Sequence, residues 1–511
     1  MKKVCFSDFM IGCAVTVLSF LTMSCGNKGD VFPDVLDQKY ISENIQSYQL
    51  KNVEGKAEEN CALNVYIDFS DGLWQAYKNN PDNGVMIQAI AQNLTGGAVR
   101  WYGVGSNKIY ELDFPNTELY NKVVNPQSYS KEIMAPIQET VNKIVEANED
   151  ALFVTDFEEY TQDKKEQFLG FAKDKFTEWL TKGNSIDFYV TDYTEKCKDM
   201  RTVEKHLYFI IFSTPGHPLK DKIDFALKGR NCKYETFNLS KNFFSLSNEY
   251  PAANKGGNYY NERGEDIVFL LNEEYLKNNV KDNFEFYPCQ STWADIYSNS
   301  KSLMEQGVPK PFTHVFRNLF VNLKNDDIFT INGLGVKVYD VTDDYTFFVQ
   351  AKEARKHAPK LTKDASGNVI IDESETNPIA LTCYDDKGNL KAEWNYSPKK
   401  MLELPEVFAL DQQLFNNTKA ANPEKTEIGI KYHPNFTGSL SNPGALIRVD
   451  VVVDNCEPNF EKLSKLFSWD SSTRKDEKNS SLEESIRNTL EKINPQGETI
   501  YSYYIVTGDK K

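Results

Sequence analysis

The sequence is poor in histidine and lacks the common catalytic motifs. Its 511 residues include five histidines, none of which has the spacing of a zinc-hydrolase motif such as H-E-x-x-H. It contains no G-x-S-x-G elbow, no P-loop and no G-x-G-x-x-G turn after a predicted strand. The nine cysteines include no C-x-x-C pair. These absences argue against the best-known forms of zinc, nucleotide and serine-hydrolase chemistry.

Positive charge is also scarce relative to negative charge. The chain has 74 Asp and Glu against 58 Lys and Arg, a formal net charge of -16. Binding to nucleic acid or to anionic lipid depends on Lys and Arg, so we expect neither a nucleic-acid partner nor electrostatic docking on a membrane. Hydrophobic residues make up 40% and aromatic residues 13%, which is enough for packed domains. The length predicts two or three of them.

The first 25 residues are typical of an export signal. Lys2 and Lys3 precede an apolar run over residues 9–21, which is shorter than the roughly 20 apolar residues of a spanning helix. The run ends in L-T-M-S-C, with Cys25 last, and this resembles the lipobox of bacterial lipoproteins. The resemblance implies cleavage after residue 24, lipidation of the Cys25 thiol and attachment to a cell-envelope membrane, most simply the outer membrane. A membrane anchor and a plain secretory signal are the alternatives.

The remaining composition fits an exported protein. Its many Asn, Lys, Tyr and Phe residues resemble those of lipoproteins from Bacteroides-like organisms. Residues 25–60 are polar and mixed in charge, as expected of a tether between a lipid anchor and a folded domain. Six cysteines follow Cys25 in the sequence. Their even number permits complete pairing in disulfides in an oxidising compartment. Free buried thiols are the alternative.

Residues 60–250 alternate apolar strands with amphipathic helices. One helix is predicted to begin near Ser130, because Ile137, Val141 and Ile144 recur at helical spacing. Strands are predicted at 62–67, 98–104, 151–156, 186–192 and 207–214. This alternation predicts an α/β fold with a doubly wound, mainly parallel sheet.

Residues 260–511 read as β-rich. Strands are predicted at 267–271, 336–339, 345–349, 379–384, 446–453 and 500–506. A helix is predicted from Leu482 to Ile493, after a charged, serine-rich loop over residues 471–481. We expect one or two β-rich domains here, with a β-sandwich as one architecture.

Three of the predicted strands in the first half end in an aspartate. Asp68, Asp156 and Asp192 would all lie at the carboxyl edge of a parallel sheet, where ligands bind in open α/β folds. A serine or threonine lies close to each of them, and carboxylate and hydroxyl oxygens suit Mg²⁺, Mn²⁺ or Ca²⁺. The alternative is that these acids form turns and cap helices, roles that Asp also favours.

The stretch D-F-S-D-G at residues 68–72 resembles the opening D-x-S-x-S motif of von Willebrand factor A domains. The strand at 151–156 resembles a later strand of that family, which ends in Thr-Asp. The resemblance implies a metal-ion-dependent adhesion site in which Asp68, Ser70 and Asp156 hold a divalent cation, either Mg²⁺ or Mn²⁺. One coordination position would stay open for a carboxylate of the partner.

Two features of this stretch depart from the family pattern. Gly72 occupies the position of the second Ser of the motif, and Phe157 replaces the small residue that usually follows the last Asp. The family's middle ligand, usually a Thr, has Ser128 or Ser130 as its counterpart here. One hydroxyl ligand is therefore missing from the pattern.

These features together predict a cell-envelope lipoprotein that is not an enzyme. It would act in adhesion or assembly, binding another protein or a glycan at the carboxyl edge of the sheet. One rival is a metal-dependent hydrolase of the phosphoesterase type, with Asp68, Asp71, Asp156 and Asp192 around one or two cations. The scarcity of histidine counts against that rival. A purely structural envelope subunit is the other.

Overall fold

The computed structural model describes residues 37, 39–40, 62–94, 99–113, 118–131, 135–161, 163, 165–216, 219–241, 245–248, 284–288, 316–323, 328–397, 401–435 and 445–506. The predicted signal, Cys25 and the predicted strand at 267–271 lie outside these residues. Within them, no helix has both the length and the apolar character needed to cross a membrane.

A seven-stranded sheet forms the centre of the first half, in the order β3-β2-β1-β4-β6-β5-β7. The strands are β1 (Leu63–Asp68), β2 (Val99–Gly105), β3 (Lys108–Glu111), β4 (Asp150–Thr155), β5 (Ser185–Lys196), β6 (Thr202–Ser213) and β7 (Glu235–Ser240). The expected α/β architecture is confirmed, and the sheet is mixed. Strand β1 is parallel to β2 and β4, whereas the pairs β2/β3, β4/β6, β6/β5 and β5/β7 are antiparallel.

The stretch at 207–214, predicted as the last parallel strand, is part of the antiparallel strand β6. Only residues 197–201 separate β6 from β5, and the two strands pair over their full length. A parallel crossover needs a dozen or more residues, so a connection this short allows only a hairpin. As a result, β5 runs in the same direction as β1, β2 and β4.

Helices cover both faces of this sheet. One face carries α1 (Trp74–Asn79), α2 (Pro81–Asn93), α3 (Leu119–Val123) and α6 (Leu219–Leu227), and the other carries α4 (Ile137–Ala147) and α5 (Lys173–Thr181). The helix predicted to begin near Ser130 begins instead at Ile137, directly after Pro136. It ends at Ala147, and the next residue, Asn148, has a left-handed conformation (φ 51°).

The described residues of the second half form two further sheets, mostly antiparallel. Their strands are β8 (Ser245–Asn248), β9 (Phe284–Pro288), β10 (Phe316–Asn322), β11 (Phe329–Asp340), β14 (Leu402–Glu403), β15 (Phe408–Leu410), β16 (Thr426–Tyr432), β17 (Leu446–Pro458) and β20 (Thr499–Val506). The four-stranded sheet has the order β15-β16-β10-β8, and the five-stranded sheet has the order β14-β11-β17-β20-β9. Two small hairpins pair β12 (Leu361–Lys363) with β13 (Val369–Ile371) and β18 (Trp469–Asp470) with β19 (Lys478–Asn479).

Two strand predictions in this half are wrong. The stretch at 345–349 lies in helix α7 (Thr342–Lys356), and the stretch at 379–384 lies largely in helix α8 (Pro378–Cys383). The remaining α-helices within the described residues are α9 (Gln412–Ala421), α10 (Leu463–Phe467) and α11 (Ser481–Lys492). The last of these matches the predicted helix closely.

The C-terminal helices pack on the central sheet. Phe467 of α10 contacts the rings of Phe188 and Tyr208, with centroids 5.0 and 6.1 Å away. The Ser485 hydroxyl of α11 accepts a hydrogen bond from the Ala172 backbone N–H at the start of α5. The two halves of the chain therefore share one hydrophobic core.

An N-terminal segment also packs on the second half. Tyr40 is fully buried, and its hydroxyl donates to the Asp344 carboxylate (3.0 Å) of α7. Its ring packs against those of Tyr345 and Phe348. Part of the predicted tether is therefore docked on the folded protein. Among the described cysteines, Cys197, Cys232 and Cys456 are free thiols.

Candidate functional site

Asp68 is the last residue of β1 and is completely buried. One carboxylate oxygen accepts from the Ser70 backbone N–H (2.8 Å), and the other accepts from the Thr155 hydroxyl (2.8 Å). Burial raises the pKa of Asp68 to about 7, and the charge of Asp156 acts in the same direction. The structure thus brings Asp68 and Asp156 together, and both the backbone and the side chain of Ser70 contact Asp68.

Asp156 follows β4 directly and is also buried. Its carboxylate accepts hydrogen bonds from the Glu158 backbone N–H (3.1 Å), the Tyr193 hydroxyl (3.2 Å) and the Lys205 ammonium (3.4 Å). Burial raises the pKa of Asp156, although the positive charge of Lys205 acts to lower it. Both oxygens of this predicted ligand are therefore engaged within the protein.

Lys205 of β6 is the cation at this edge of the sheet. Its side chain is 1% exposed, and its ammonium lies 2.8 Å from the carboxylates of both Glu158 and Glu195. Burial alone would lower the pKa of Lys205, but the charges of Glu158 and Glu195 outweigh it and raise the pKa well above its usual value. Lys205 is therefore a permanent cation among three carboxylates, the third being Asp156.

Gly72 makes room for this arrangement. Its φ of +93° favours glycine, and a Cβ built on it would lie 2.5 Å from the Glu195 carboxylate. The position where the family motif has its second Ser is thus filled by Glu195, which pairs with Lys205. The glycine at position 72 therefore leaves the space in which the Glu195 carboxylate pairs with the buried Lys205.

The predicted middle ligand also has another role. The Ser130 backbone N–H donates to the Phe69 carbonyl, and its hydroxyl lies 2.7 Å from that of Ser106. Ser128 ends a short 3₁₀ helix that begins at Pro126. Among the residues described, no group of three or more His, Cys, Asp or Glu could hold a metal ion. With Lys205 in contact with Asp156, the residues present do not fit a divalent cation.

A C-terminal loop makes hydrogen bonds to two of the acidic residues in this region, Glu158 and Glu166. The hydroxyls of Ser471 and Thr473 and the amide of Asn479 donate to Glu166, and the Ser472 hydroxyl donates to Glu158. These donors come from the serine-rich loop identified in the sequence. Glu158 and Glu166 therefore accept hydrogen bonds from this loop, and Glu158 is also paired with Lys205.

Asp71 and Asp192, the other two aspartates of the alternative hydrolase prediction, lie outside the group of carboxylates around Lys205. Asp71 pairs with Lys198 (3.1 Å). Asp192 has an 87% exposed side chain and lies 2.7 Å from Nδ1 of His206, whose Nε2 is 3.1 Å from the Ser468 carbonyl oxygen. Each ring nitrogen of His206 therefore faces a hydrogen-bond acceptor within the protein.

A cleft of about 730 Å³ opens beside Asp192, and we call it the edge cleft. It lies where β5 extends beyond its neighbour β7, whose pairing with β5 ends at Val190. Its lining residues include Asn79, Asn80, Asp192, Glu204, His206, Lys233, Tyr234, Glu235, Lys465, Trp469, Asp470 and Lys478. Because β5 runs with β1 and β4, the cleft is on the carboxyl side of the sheet.

Side-chain amides close the free edge of β5. Asn80 donates to the carbonyl oxygen of Asp192 (2.8 Å), and Asn79 donates to that of Thr194 (2.6 Å). Gln75 bonds both the N–H and the carbonyl of Lys196. Helix α1 and the residue after it thereby take the place of a neighbouring strand.

No protein-family model, curated protein or solved structure matches the chain. The site therefore has to be judged on its own geometry. Sequence reasoning identified Asp68 and Asp156, but it missed Lys205, Glu158 and Glu195, which surround Asp156 together with Tyr193.

Proposed function

We propose that this protein is a non-catalytic, metal-independent binding protein of the cell envelope, held by a lipid on Cys25, which recognises its ligand in the edge cleft. The observation that carries the proposal is the cleft itself. It is open to solvent and lies on the carboxyl side of the sheet, and its volume is within the roughly 300–1,000 Å³ typical of ligand sites. Such a position in an α/β sheet is the usual one for ligand binding.

The contacts of two titratable residues near the edge cleft, His206 and Lys205, favour binding over catalysis. Both ring nitrogens of His206 face acceptors, and Lys205 is held by carboxylates. A general base or nucleophile needs a reactive atom within reach of a substrate. Neither residue presents one, so the proposal assigns the cleft no reaction.

The relation to von Willebrand factor A domains is part of the proposal. Asp68 ends β1 and Asp156 directly follows the end of the parallel strand β4, which supports a similar arrangement at this edge of the sheet. Here the Lys205 ammonium would take over the charge-balancing role of the family's cation. Recognition would then depend on the neighbouring cleft and not on an open metal coordination position.

Site-specific cross-linking in the native envelope tests the location of binding. A photo-reactive amino acid would replace Glu204 or Lys478, two exposed residues that line the edge cleft. The same probe at Lys182, which follows α5 near the opposite end of the strands, is the control. We expect covalent adducts from the two cleft positions only. Equal labelling from position 182, or none from the cleft, would overturn the proposal.

Lipid attachment is tested separately. We expect the full chain to partition into the detergent phase in Triton X-114 extraction, and Cys25→Ser to shift it to the aqueous phase. Retention of Cys25→Ser in the detergent phase would contradict the anchor and would leave the cleft unaffected.

A further inference from the structure

One face of helix α7 is covered by a short segment from the N-terminal end of the chain. Asp344, Phe348 and Lys352 recur every four residues along this face, and we call them the α7 docking face. Asp344 accepts a hydrogen bond from the Tyr40 hydroxyl (3.0 Å), and the Phe348 ring lies 5.2 Å from the Tyr40 ring between centroids. Lys352 forms an ion pair with Asp37. An acceptor, an aromatic ring and a cation therefore meet a phenol and a carboxylate that are three residues apart in the sequence.

The surroundings of Tyr40 fit a complete phenol side chain. Its ring is fully buried, and the rings of Tyr345 and Tyr396 lie 4.8 and 6.3 Å away between centroids. Burial raises the pKa of Tyr40 above its usual value, and Tyr504 and Asp344 act in the same direction, so the hydroxyl remains a donor. Asp344 also accepts from the Tyr396 hydroxyl (2.8 Å). A phenylalanine at position 40 would fill the same space but would remove one of the donors to this buried carboxylate.

The docked segment resembles a small peptide ligand in how it is held. The Asp37 carboxylate accepts from the backbone N–H of Lys39 (2.9 Å), so it also shapes the turn that leads to Tyr40. The ion pair of Asp37 with Lys352 is partly open to solvent, and such pairs contribute little to affinity. The buried ring and hydroxyl of Tyr40 should therefore supply most of the affinity. Residues 41–62 connect this segment to β1 and span roughly 75 Å when extended, which is long enough to let the segment leave.

We propose that the α7 docking face is a recognition site for a peptide segment with an aspartate three residues before a tyrosine, and that residues 37–40 are a releasable strap that fills it in the free protein. The strap keeps the site closed until a partner segment with the same pattern displaces it. Because strap and site belong to one chain, the strap acts at an effective concentration of roughly millimolar order. A free peptide has to compete with it, so an intact strap masks the site. This site is separate from the edge cleft and does not depend on the function proposed for that cleft.

The test uses the chain from Gly26 to Lys511 and a dye-labelled peptide of residues 35–42 (V-L-D-Q-K-Y-I-S), with fluorescence anisotropy as the measurement. Tyr40→Ala removes the side chain of the strap that fills the site, so we expect saturable binding of the peptide to this variant. The wild type should bind it more weakly by about tenfold or more, because its own strap competes. Tyr120→Ala removes a partly exposed tyrosine of α3 and is the matched control, which should bind as the wild type does.

Changes in the peptide test which groups are recognised by the Tyr40→Ala chain. Tyr40→Phe in the peptide keeps the ring and removes the donor to Asp344, so affinity should fall about tenfold, the effect of one lost hydrogen bond. Asp37→Ala in the peptide removes the ion pair and should cost up to about fivefold. When Lys352→Ala is added to the Tyr40→Ala chain, the peptides with and without this aspartate should bind equally.

Three results would overturn the proposal. The first is a Tyr40→Ala chain that melts cooperatively but does not bind the peptide, because the contact would then be a fixed part of the fold. The second is equal affinity for the tyrosine and phenylalanine peptides, and the third is equal binding by the wild type and Tyr40→Ala.

A second variant covers the case in which Tyr40→Ala does not fold. Tyr40→Phe in the chain keeps the ring of the strap and removes its donor, so the peptide should bind this chain more tightly than the wild type. Equal binding to both chains, or binding to neither, would then overturn the proposal.

Discussion

The ammonium of Lys205 and the carboxylate of Glu158 lie 2.8 Å apart, and both side chains are almost completely buried. Burial raises the pKa of a carboxyl group, but at Glu158 the charge of Lys205 outweighs that effect and the pKa is lowered. The attraction within such a pair offsets part of the cost of removing two charges from water. Asp156 and Glu195 also contact Lys205, but burial raises the pKa of each carboxyl despite the charge of the lysine.

Removal of this lysine should destabilise the protein strongly. Lys205→Met keeps much of the volume and leaves the buried carboxylates without their counter-ion, so we expect a loss of about 3–5 kcal/mol in the free energy of unfolding. Lys182→Met, which breaks a surface pair with Glu178, should cost less than about 1 kcal/mol. Urea denaturation measures both.

A second change should partly restore stability. Glu158→Gln removes one of the carboxylates left unpaired in Lys205→Met, so the double variant is expected to be more stable than Lys205→Met alone. Additive losses in this double-mutant cycle would contradict a charge-balancing role for Lys205.

Divalent cations should not bind at the carboxyl edge. Calorimetry of the chain from Gly26 with Mg²⁺, Mn²⁺ and Ca²⁺ is expected to give no saturable heat, because Asp156 is already held by Lys205. Saturable binding that disappears in both Asp68→Ala and Asp156→Ala would contradict this and would restore the adhesion-type metal site.

Stability should depend on the protonation of Asp68. The pKa of Asp68 is about 7 in the folded protein, against an ordinary value of 3.8, because of burial. The folded state therefore holds a proton that the unfolded chain releases, and the stabilising effect of that proton is lost as pH rises from about 4 to 7. As pH rises through this range, the free energy of unfolding of Asp68→Asn should increase by about 2–4 kcal/mol relative to that of the wild type. Above it the difference should be constant.

Unfolding at pH 4.5, 6 and 8 measures the effect. The Thr155 hydroxyl can turn to accept from the new amide, so the variant is expected to fold. Asp386→Asn, at an exposed turn, is the control and should track the wild type at every pH. A difference for Asp68→Asn that does not change with pH would contradict the raised pKa.

The amide side chains along β5 should keep the protein from associating. Replacement of Gln75, Asn79 and Asn80 by Ala exposes the backbone groups of Asp192, Thr194 and Lys196, and an unprotected strand edge is a template for pairing. We expect concentration-dependent self-association in sedimentation velocity. A monomeric triple variant at all concentrations would mean that the edge is protected by other groups.

Much of the fold could be predicted because its strands are long and apolar. Strands β1 and β4 are short and mostly apolar, and the buried part of β17, residues 446–453, is rich in valine; all three were predicted. The run at 345–349 was misassigned because short apolar stretches fit a helix or a strand equally well. Tyr345 and Phe348 are three residues apart and both pack on Tyr40, a contact that only the folded chain reveals.

The site was predictable only in part. Asp68 and Asp156 followed from the strand ends, but Lys205 was overlooked because lysine is usually exposed. The two-residue alternation of β6 was the available signal, since Val203, Lys205 and Leu207 share its buried face. Its carboxylate partners come from two other segments of the chain, a pairing that sequence spacing does not specify.

The burial of Tyr40 has a consequence for how an anchored protein would sit at its membrane. Fifteen residues separate Tyr40 from Cys25, so even a fully extended chain spans only about 50 Å. A tether that ran freely to the first strand, at Leu63, would have more than twice that reach. Because Tyr40 is held against α7, the tether of an anchored chain would meet the folded protein at α7. The short distance between the anchor and the folded protein would restrict both the rotation of the protein and the distance from the membrane at which it can bind a ligand.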